Sequence, residues 1–138
     1  MHLGNLTVLL NVRSVNKSIQ FYCDVLGARL AWVWDSEKKR AVCDVNLSKS
    51  LGLAAVHFGT SEILLRADPA HQPSGKPLCV VQFEVIDVEA FLRLADKRGL
   101  KPAPAAPTTT PWGSRQVFIR DPDGHCLSFA SQTGVRLV

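Results

Sequence analysis

TPWGSRQVFIRDPDGHCLSF, residues 110–129, decides the fold. Val117, Phe118 and Ile119 are the β-branched and aromatic residues of one strand, and Cys126, Leu127, Ser128 and Phe129 those of the next. Between them lies Asp121-Pro122-Asp123-Gly124. Proline fixes φ at the second turn position, the aspartates can bond their own backbone, and glycine accepts a positive φ. Taken alone the stretch is a β-hairpin. It gains meaning from what precedes it, because the chain builds the same kind of unit twice.

In the first half, residues 6–12 (LTVLLNV) alternate as a strand, with Val8, Leu10 and Val12 on one face and Thr7, Leu9 and Asn11 on the other. Ser14 is an N-cap, Val15, Ile19, Tyr22 and Leu26 fall at helical spacing, and Gly27 stands where a helix ends. Residues 28–35 (ARLAWVWD) return to period two, which predicts Leu30, Trp32 and Trp34 on one side and Arg29, Ala31 and Val33 on the other. Residues 36–51 are polar and lysine-rich and fit a strand extension, a short helix or a flap. Leu53–Phe58, the Gly59-Thr60 turn and Glu62–Arg66 read as a hairpin. Residues 68–77 (DPAHQPSGKP) are a proline-rich linker.

The pattern then restarts. Residues 78–85 (LCVVQFEV) predict a strand with Val81, Phe83 and Val85 on one face and Val80, Gln82 and Glu84 on the other. Asp87 caps a helix whose apolar stripe is Val88, Phe91, Leu92 and Ala95, and Gly99 closes it. Leu100–Ala103 predicts a short strand, and residues 102–111 a low-complexity loop before the hairpin. A shift of 73 positions lays Val12 on Val85, Val15 on Val88 and Ile19 on Leu92. The expectation is one α+β domain of two βαβββ halves, about 5–67 and 78–131, joined by the linker.

Composition narrows the functional classes. A chain of 138 residues with 46 % hydrophobic and 20 % charged residues is an ordinary globular protein in its make-up. No apolar run approaches the ~20 residues that span a bilayer, and the N-terminal residues lack a signal-peptide pattern, so a cytoplasmic protein without a membrane partner is expected. The net charge of +4 is dispersed apart from Lys38-Lys39-Arg40, which argues against nucleic-acid binding. Cys23, Cys43, Cys79 and Cys126 are scattered with no CxxC pair and are expected to be reduced, buried thiols. His2, His57, His71 and His125 show no ligand-like spacing and are expected to be exposed or singly hydrogen-bonded.

With the repeat in place, residues 18–30 (SIQFYCDVLGARL), 112–129 (WGSRQVFIRDPDGHCLSF) and 83–91 (FEVIDVEAF) resemble the vicinal-oxygen-chelate superfamily, which includes glyoxalase I, extradiol dioxygenases, fosfomycin-resistance enzymes and bleomycin-resistance proteins. The resemblance covers nearly the whole chain. It implies a cup-shaped, incompletely closed mixed β-barrel with the helices outside. It also implies four cavity-facing positions where metal-dependent members carry His or Glu, and here these hold Thr7, Leu64, Val80 and Ser128. Aliphatic side chains and unsupported hydroxyls are poor ligands for a divalent ion, so no metal, no cofactor and no catalytic residue are expected.

What remains is a binding face. The expected ligand-binding residues are Thr7, Leu9, Asn11, Trp32, Trp34, Val80, Gln82, Glu84, Trp112 and Ser128, an apolar surface with a few polar groups. The resemblance to metal-free bleomycin-resistance proteins implies a homodimer sequestering an aromatic or amphipathic small molecule, an antibiotic among the candidates. Glu84, Asp35 and Glu62 could attract a cation, but those proteins are typically acidic and this chain is basic, which leaves neutral or anionic aromatic ligands open. The alternative is a glyoxalase-like enzyme, either a metal-independent lyase or isomerase with Glu84 or Asp35 as base, or a metalloenzyme with non-standard ligands.

Overall fold

A computed structural model describes residues 3–43, 51–73 and 75–132. The chain divides between Gln72 and Pro73, inside the expected linker, into two compact units.

The first unit runs β1 (Val8–Val12), α1 (Val15–Ile19) continued by a π-helical stretch (Gln20–Val25), β2 (Arg29–Asp35), β3 (Arg40–Val42), β4 (Leu51–Phe58) and β5 (Ser61–Ala67). The second runs β6 (Val80–Glu84), α2 (Val88–Lys97), β7 (Thr108–Thr109), β8 (Ser114–Arg120) and β9 (Cys126–Gln132). Each unit forms its own open mixed sheet, in the orders β1-β5-β4-β2-β3 and β6-β9-β8-β7. In both, the first strand pairs in parallel with the last and the remaining ladders are antiparallel. Apart from the extra β3 the two sheets have the same connectivity, so the fold is α+β with two βαβββ units. The repeat holds in register as well, since Leu9 pairs with Leu64 and Gln82 with Ser128.

Local chemistry sets the helices where expected. Ser14 accepts from the Lys17 N–H and Asp87 from the Ala90 N–H, each satisfying an orphan donor of the first turn. Helix α2 ends with Gly99 at φ 96°, and the Leu100 N–H bonds back to the Ala95 carbonyl while that of Gly99 bonds to Asp96. The first helix closes more loosely. Its Leu26 N–H reaches the Phe21 carbonyl five residues back, the signature of a widened turn.

Each helix covers one face of its sheet. In the first unit Leu10, Val12, Val33, Ala54, Val56, Ile63 and Leu65 are buried with Val15, Ile19, Tyr22 and Leu26 of the helix. Tyr22 meets Phe58 edge-on, with ring centroids 6.3 Å apart. In the second unit Phe129 is sandwiched, with Phe83 stacked at 4.9 Å and Phe91 of α2 at 4.3 Å. Arg115 of β8 donates through Nε to the Glu89 carboxylate of α2 at 2.6 Å, and this hydrogen bond holds the Glu89 carboxyl below its ordinary value. The DPDG turn is locked from within: Asp121 Oδ1 accepts from the backbone N–H groups of Asp123 and His125 at 2.9 and 2.8 Å.

Three expectations change. The short strand at Leu100–Ala103 is absent; the strand that pairs with the outer edge of β8 is Thr108–Thr109, inside the tract read as a loop. A strand at 101–102 conflicts with Pro102, which has no N–H to give a ladder. Residues 36–51 include a strand extension, since Arg40–Val42 pairs with β2 after a turn in which Lys39 adopts φ 51°; residues 44–50 of that segment lie outside the described residues. Finally, Leu30 does not share a face with the tryptophans. Leu30 pairs with Val56 but Trp32 with Ala55, so Ala31 is an unpaired bulge residue that reverses the alternation.

Phe129→Ala is expected to lower the unfolding free energy by about 3–5 kcal/mol, because two stacked rings lose their partner in a closed core. Phe118→Ala, on the open face of the same sheet, is expected to cost about 1 kcal/mol or less. Urea unfolding of the two variants checks the contrast.

Candidate functional site

The face of the first sheet turned away from its helix carries three cross-strand rows. In the middle row Leu9 pairs with Leu64, Leu64 with Ala55 and Ala55 with Trp32. On one side Asn11, Arg66, Leu53, Trp34 and Ala41 are successive partners across five strands. On the other side Glu62 pairs with His57 and His57 with Arg29. The bulge at Ala31 is what allows Arg29 and both tryptophans to occupy this one face. The result is an apolar and aromatic surface with the Asn11–Arg66 pair at one end of an outer row and the Arg29–His57–Glu62 group along the opposite row.

Both polar groups are built. Arg66 Nε donates to Asn11 Oδ1 at 2.9 Å, fixing the plane of an otherwise exposed guanidinium. Arg29 Nη2 lies 2.9 Å from His57 Nδ1, and His57 Nε2 lies 2.9 Å from Glu62 Oε2. Because a guanidinium only donates, Nδ1 is the acceptor and the neutral imidazole carries its proton on Nε2, which donates to Glu62. His57 therefore makes two side-chain bonds, which corrects the reading of every histidine as exposed or singly bonded. Such a half-exposed pair contributes at most about 1 kcal/mol to folding, so its effect is to hold side-chain directions.

Among the residues expected to bind a ligand, Leu9, Asn11, Trp32 and Trp34 come together on this face, and Thr7 lies just before β1 as an exposed residue. Val80, Gln82, Glu84 and Ser128 share the corresponding face of the second sheet, with Phe118, Arg120 and Gln116 as cross-strand neighbours of the row. There Ser128 is fully buried and its hydroxyl donates to Gln82 Oε1 at 3.3 Å. Trp112 stands apart, 59 % exposed in the turn before β8. Asp35 is buried, and its Oδ1 accepts from the Glu37 and Lys38 N–H groups. Missing from the expected set were Arg29, Leu53, His57 and Arg66. The signal for His57 was present, because a two-residue turn at Gly59-Thr60 brings Phe58 opposite Ser61 and thus His57 opposite Glu62.

The four positions that resemblance assigns to metal ligands do not fit a divalent ion. Leu64 and Val80 bring hydrocarbon, Thr7 brings a lone hydroxyl, and the Ser128 hydroxyl is already bonded to Gln82. Among the described residues no three His, Cys, Asp or Glu side chains group as a ligand set. A depression of about 280 Å³ opens near the end of the first sheet beside Ser14, Ser36, Leu51 and Ala67, and it contains none of the ten expected residues.

The thiols differ from expectation too. Cys126 is buried and Cys23 half-buried, but Cys43 and Cys79 are exposed. Cys79 precedes β6 instead of lying within it. Burial, and after it the neighbouring Asp24 charge, push the Cys23 thiol up to about 11.

Residues 4–129 match the Glyoxalase/Bleomycin resistance protein/Dioxygenase superfamily. No curated protein matches the chain. Among solved structures, a bleomycin-binding protein complexed with bleomycin aligns with a TM-score of 0.68 at 20 % identity, covering 94 % of this chain and 99 % of its own. A bleomycin resistance determinant encoded on the transposon Tn5 gives 0.69 at 20 %, with 94 % and 98 % covered. The fosfomycin resistance protein FosX from Listeria monocytogenes gives 0.68 at 16 %, with 97 % of each chain covered. At these identities the likeness is one of fold.

Thiol labelling of the native protein at pH 8 is expected to modify Cys43 and Cys79 rapidly and Cys23 and Cys126 only after unfolding, since the reactive species is the thiolate. Mass mapping of the labelled peptides reads this directly, and fast labelling of Cys23 would contradict its placement.

Proposed function

This chain belongs to the Glyoxalase/Bleomycin resistance protein/Dioxygenase superfamily, and we propose that it is a binding member of it, a metal-free homodimer that holds an aromatic or amphipathic small molecule without transforming it. The observation that carries this reading is the face on which Trp32 and Trp34 adjoin Ala55, Leu53, Leu64 and Leu9, flanked by two hydrogen-bonded polar groups, Asn11–Arg66 and Arg29–His57–Glu62. A mostly apolar surface with a few oriented polar groups is the usual make-up of a small-molecule site. An aromatic ring stacked on an indole contributes about 0.5–1.5 kcal/mol beyond the area it buries.

The chemistry at the four ligand positions supports binding over metal-dependent catalysis. Asp35, one of the two carboxylates considered as a base, already serves its own turn. The bleomycin-binding neighbour makes an antibiotic the first ligand class to test. A dimer fits the exposed Leu78, Val80, Ile86 and Phe118, apolar side chains that a second copy would cover. Among the described residues no helix is long and apolar enough to cross a membrane.

Titration of the full chain with a panel of planar aromatic antibiotics, read by tryptophan emission, is expected to show saturable quenching without turnover of the compound. Trp32→Ala and Trp34→Ala should each weaken binding about fivefold or more, whereas Trp112→Phe leaves it unchanged. Stoichiometric Zn, Ni, Mn or Fe surviving dialysis would contradict the metal-free reading. A light-scattering mass equal to 15.1 kDa, and not twice that value, would contradict the dimer.

A further inference from the structure

We infer that the Trp32/Trp34 face selects ligands bearing an acidic group, a carboxylate, sulfonate or phosphate, and that Arg66 is the residue that binds it. The inference rests on reading this face as the ligand site and adds the charge class of its occupant.

Arg66 is exposed, and its guanidinium is oriented by the Asn11 side chain through Nε at 2.9 Å. That partner is neutral, so it fixes direction without cancelling charge. Both Nη groups are left to point elsewhere, and among the described residues no carboxylate forms an ion pair with Arg66. Asp68, two residues on, makes no ion pair with it. Glu62 is four residues back along β5, about 13 Å away at strand rise, and is bonded to His57. Two other arginines are held differently. Arg115, on the helix-covered face of the second sheet, uses the same Nε on the Glu89 carboxylate. Arg29 points its Nη2 at His57, which is backed by Glu62. Among the described residues of this face, Arg66 is the cation with no acidic side chain behind it.

Its surroundings define the rest of the ligand. Leu53 is the direct cross-strand neighbour of Arg66, and Trp34 is the next residue across. Two strand spacings put the Arg66 and Trp34 backbones about 10 Å apart. A fused two-ring aromatic with an acidic substituent spans that distance, with the ring over Leu53 and Trp34 and the acid on the Nη groups. Guanidinium binds such oxyanions through paired, charge-assisted hydrogen bonds. The equivalent row of the second sheet has Ala130 in place of Arg66 and Glu84 in place of Asn11, so that row carries no such guanidinium.

The test compares 8-anilinonaphthalene-1-sulfonate with N-phenyl-1-naphthylamine, the same ring system without the acid, on the full chain. The wild type is expected to bind the sulfonate at least about tenfold more tightly, a margin that shrinks as salt is raised. Arg66→Gln should erase the margin while leaving the neutral probe's affinity unchanged. Asn11→Asp should do the same by giving Arg66 a carboxylate partner while keeping its position. Arg93→Gln, an equal loss of charge on α2, should change neither probe. Trp32→Ala and Trp34→Ala should weaken both probes together. If both probes respond to the tryptophans but bind equally, or if the margin survives Arg66→Gln, the acid preference is overturned and the aromatic face stands. If neither probe responds to Trp32 or Trp34, the face itself is misassigned and the inference falls with it.

Discussion

The parallel ladder between the first and last strand of each unit is the constraint from which the rest of the structure follows. Parallel neighbours cannot be joined by a tight turn, so the chain between β1 and β5, and between β6 and β9, must leave the pair and return. It does so by way of a helix, which lies on one face, and then an antiparallel run that extends the sheet. One face is buried against the helix with Val12, Leu65 and Val56 in the first unit and Phe129 and Leu127 in the second. The other face receives no cover from its own helix. Parity assigns most strand positions to the helix-covered or the open face, with the alternation broken at Ala31; Ala55 and Ser128 are buried although they lie on the open faces.

The two units use the same connectivity for different chemistry. The first presents two tryptophans, three leucines, two alanines and two oriented arginines; the second presents a buried serine, a glutamine and an exposed Glu84. A single unpaired residue makes the first arrangement possible. Without the bulge at Ala31, Arg29 would fall on the helix-covered side, away from His57, and the polar group along that row would be lost. Superfamily membership sets the scaffold, while the side chains on this face determine what it can hold. At Thr7, Leu64, Val80 and Ser128 those side chains are hydroxyls and hydrocarbon, poor ligands for a divalent ion, while Arg66 and Trp34 bring a guanidinium and an indole into one cross-strand row.

Much of this was legible in the residues. Caps at Ser14 and Asp87, helix-ending glycines at 27 and 99, and period-two strands all signal through local chemistry, and the 73-residue repeat ties them into two copies. The alternation of Leu9 and Asn11 against Leu10 and Val12 was likewise visible, since burial of one face demands it. What escaped depends on partners distant in sequence. ARLAWVWD reads as uninterrupted alternation, and only the count of residues on β4 reveals that Ala31 has none opposite it. Thr108–Thr109 is too short and too polar to stand out as a strand, and becomes one because β8 offers it a ladder. The roles of Arg29 and Arg66 arise from cross-strand neighbours 28 and 55 residues away, which no local pattern contains.

The central claim is that ligand binding belongs to the open face of the first sheet. The most direct measurement is the amide and indole nitrogen–proton NMR spectrum of the full chain during titration with an aromatic acid. Binding on this face moves the indole signals of Trp32 and Trp34 and the amides of β2, β4 and β5, and leaves the Trp112 indole in place. A spectrum in which Trp112 and the strands of the second unit respond while Trp32 and Trp34 stay fixed would contradict it.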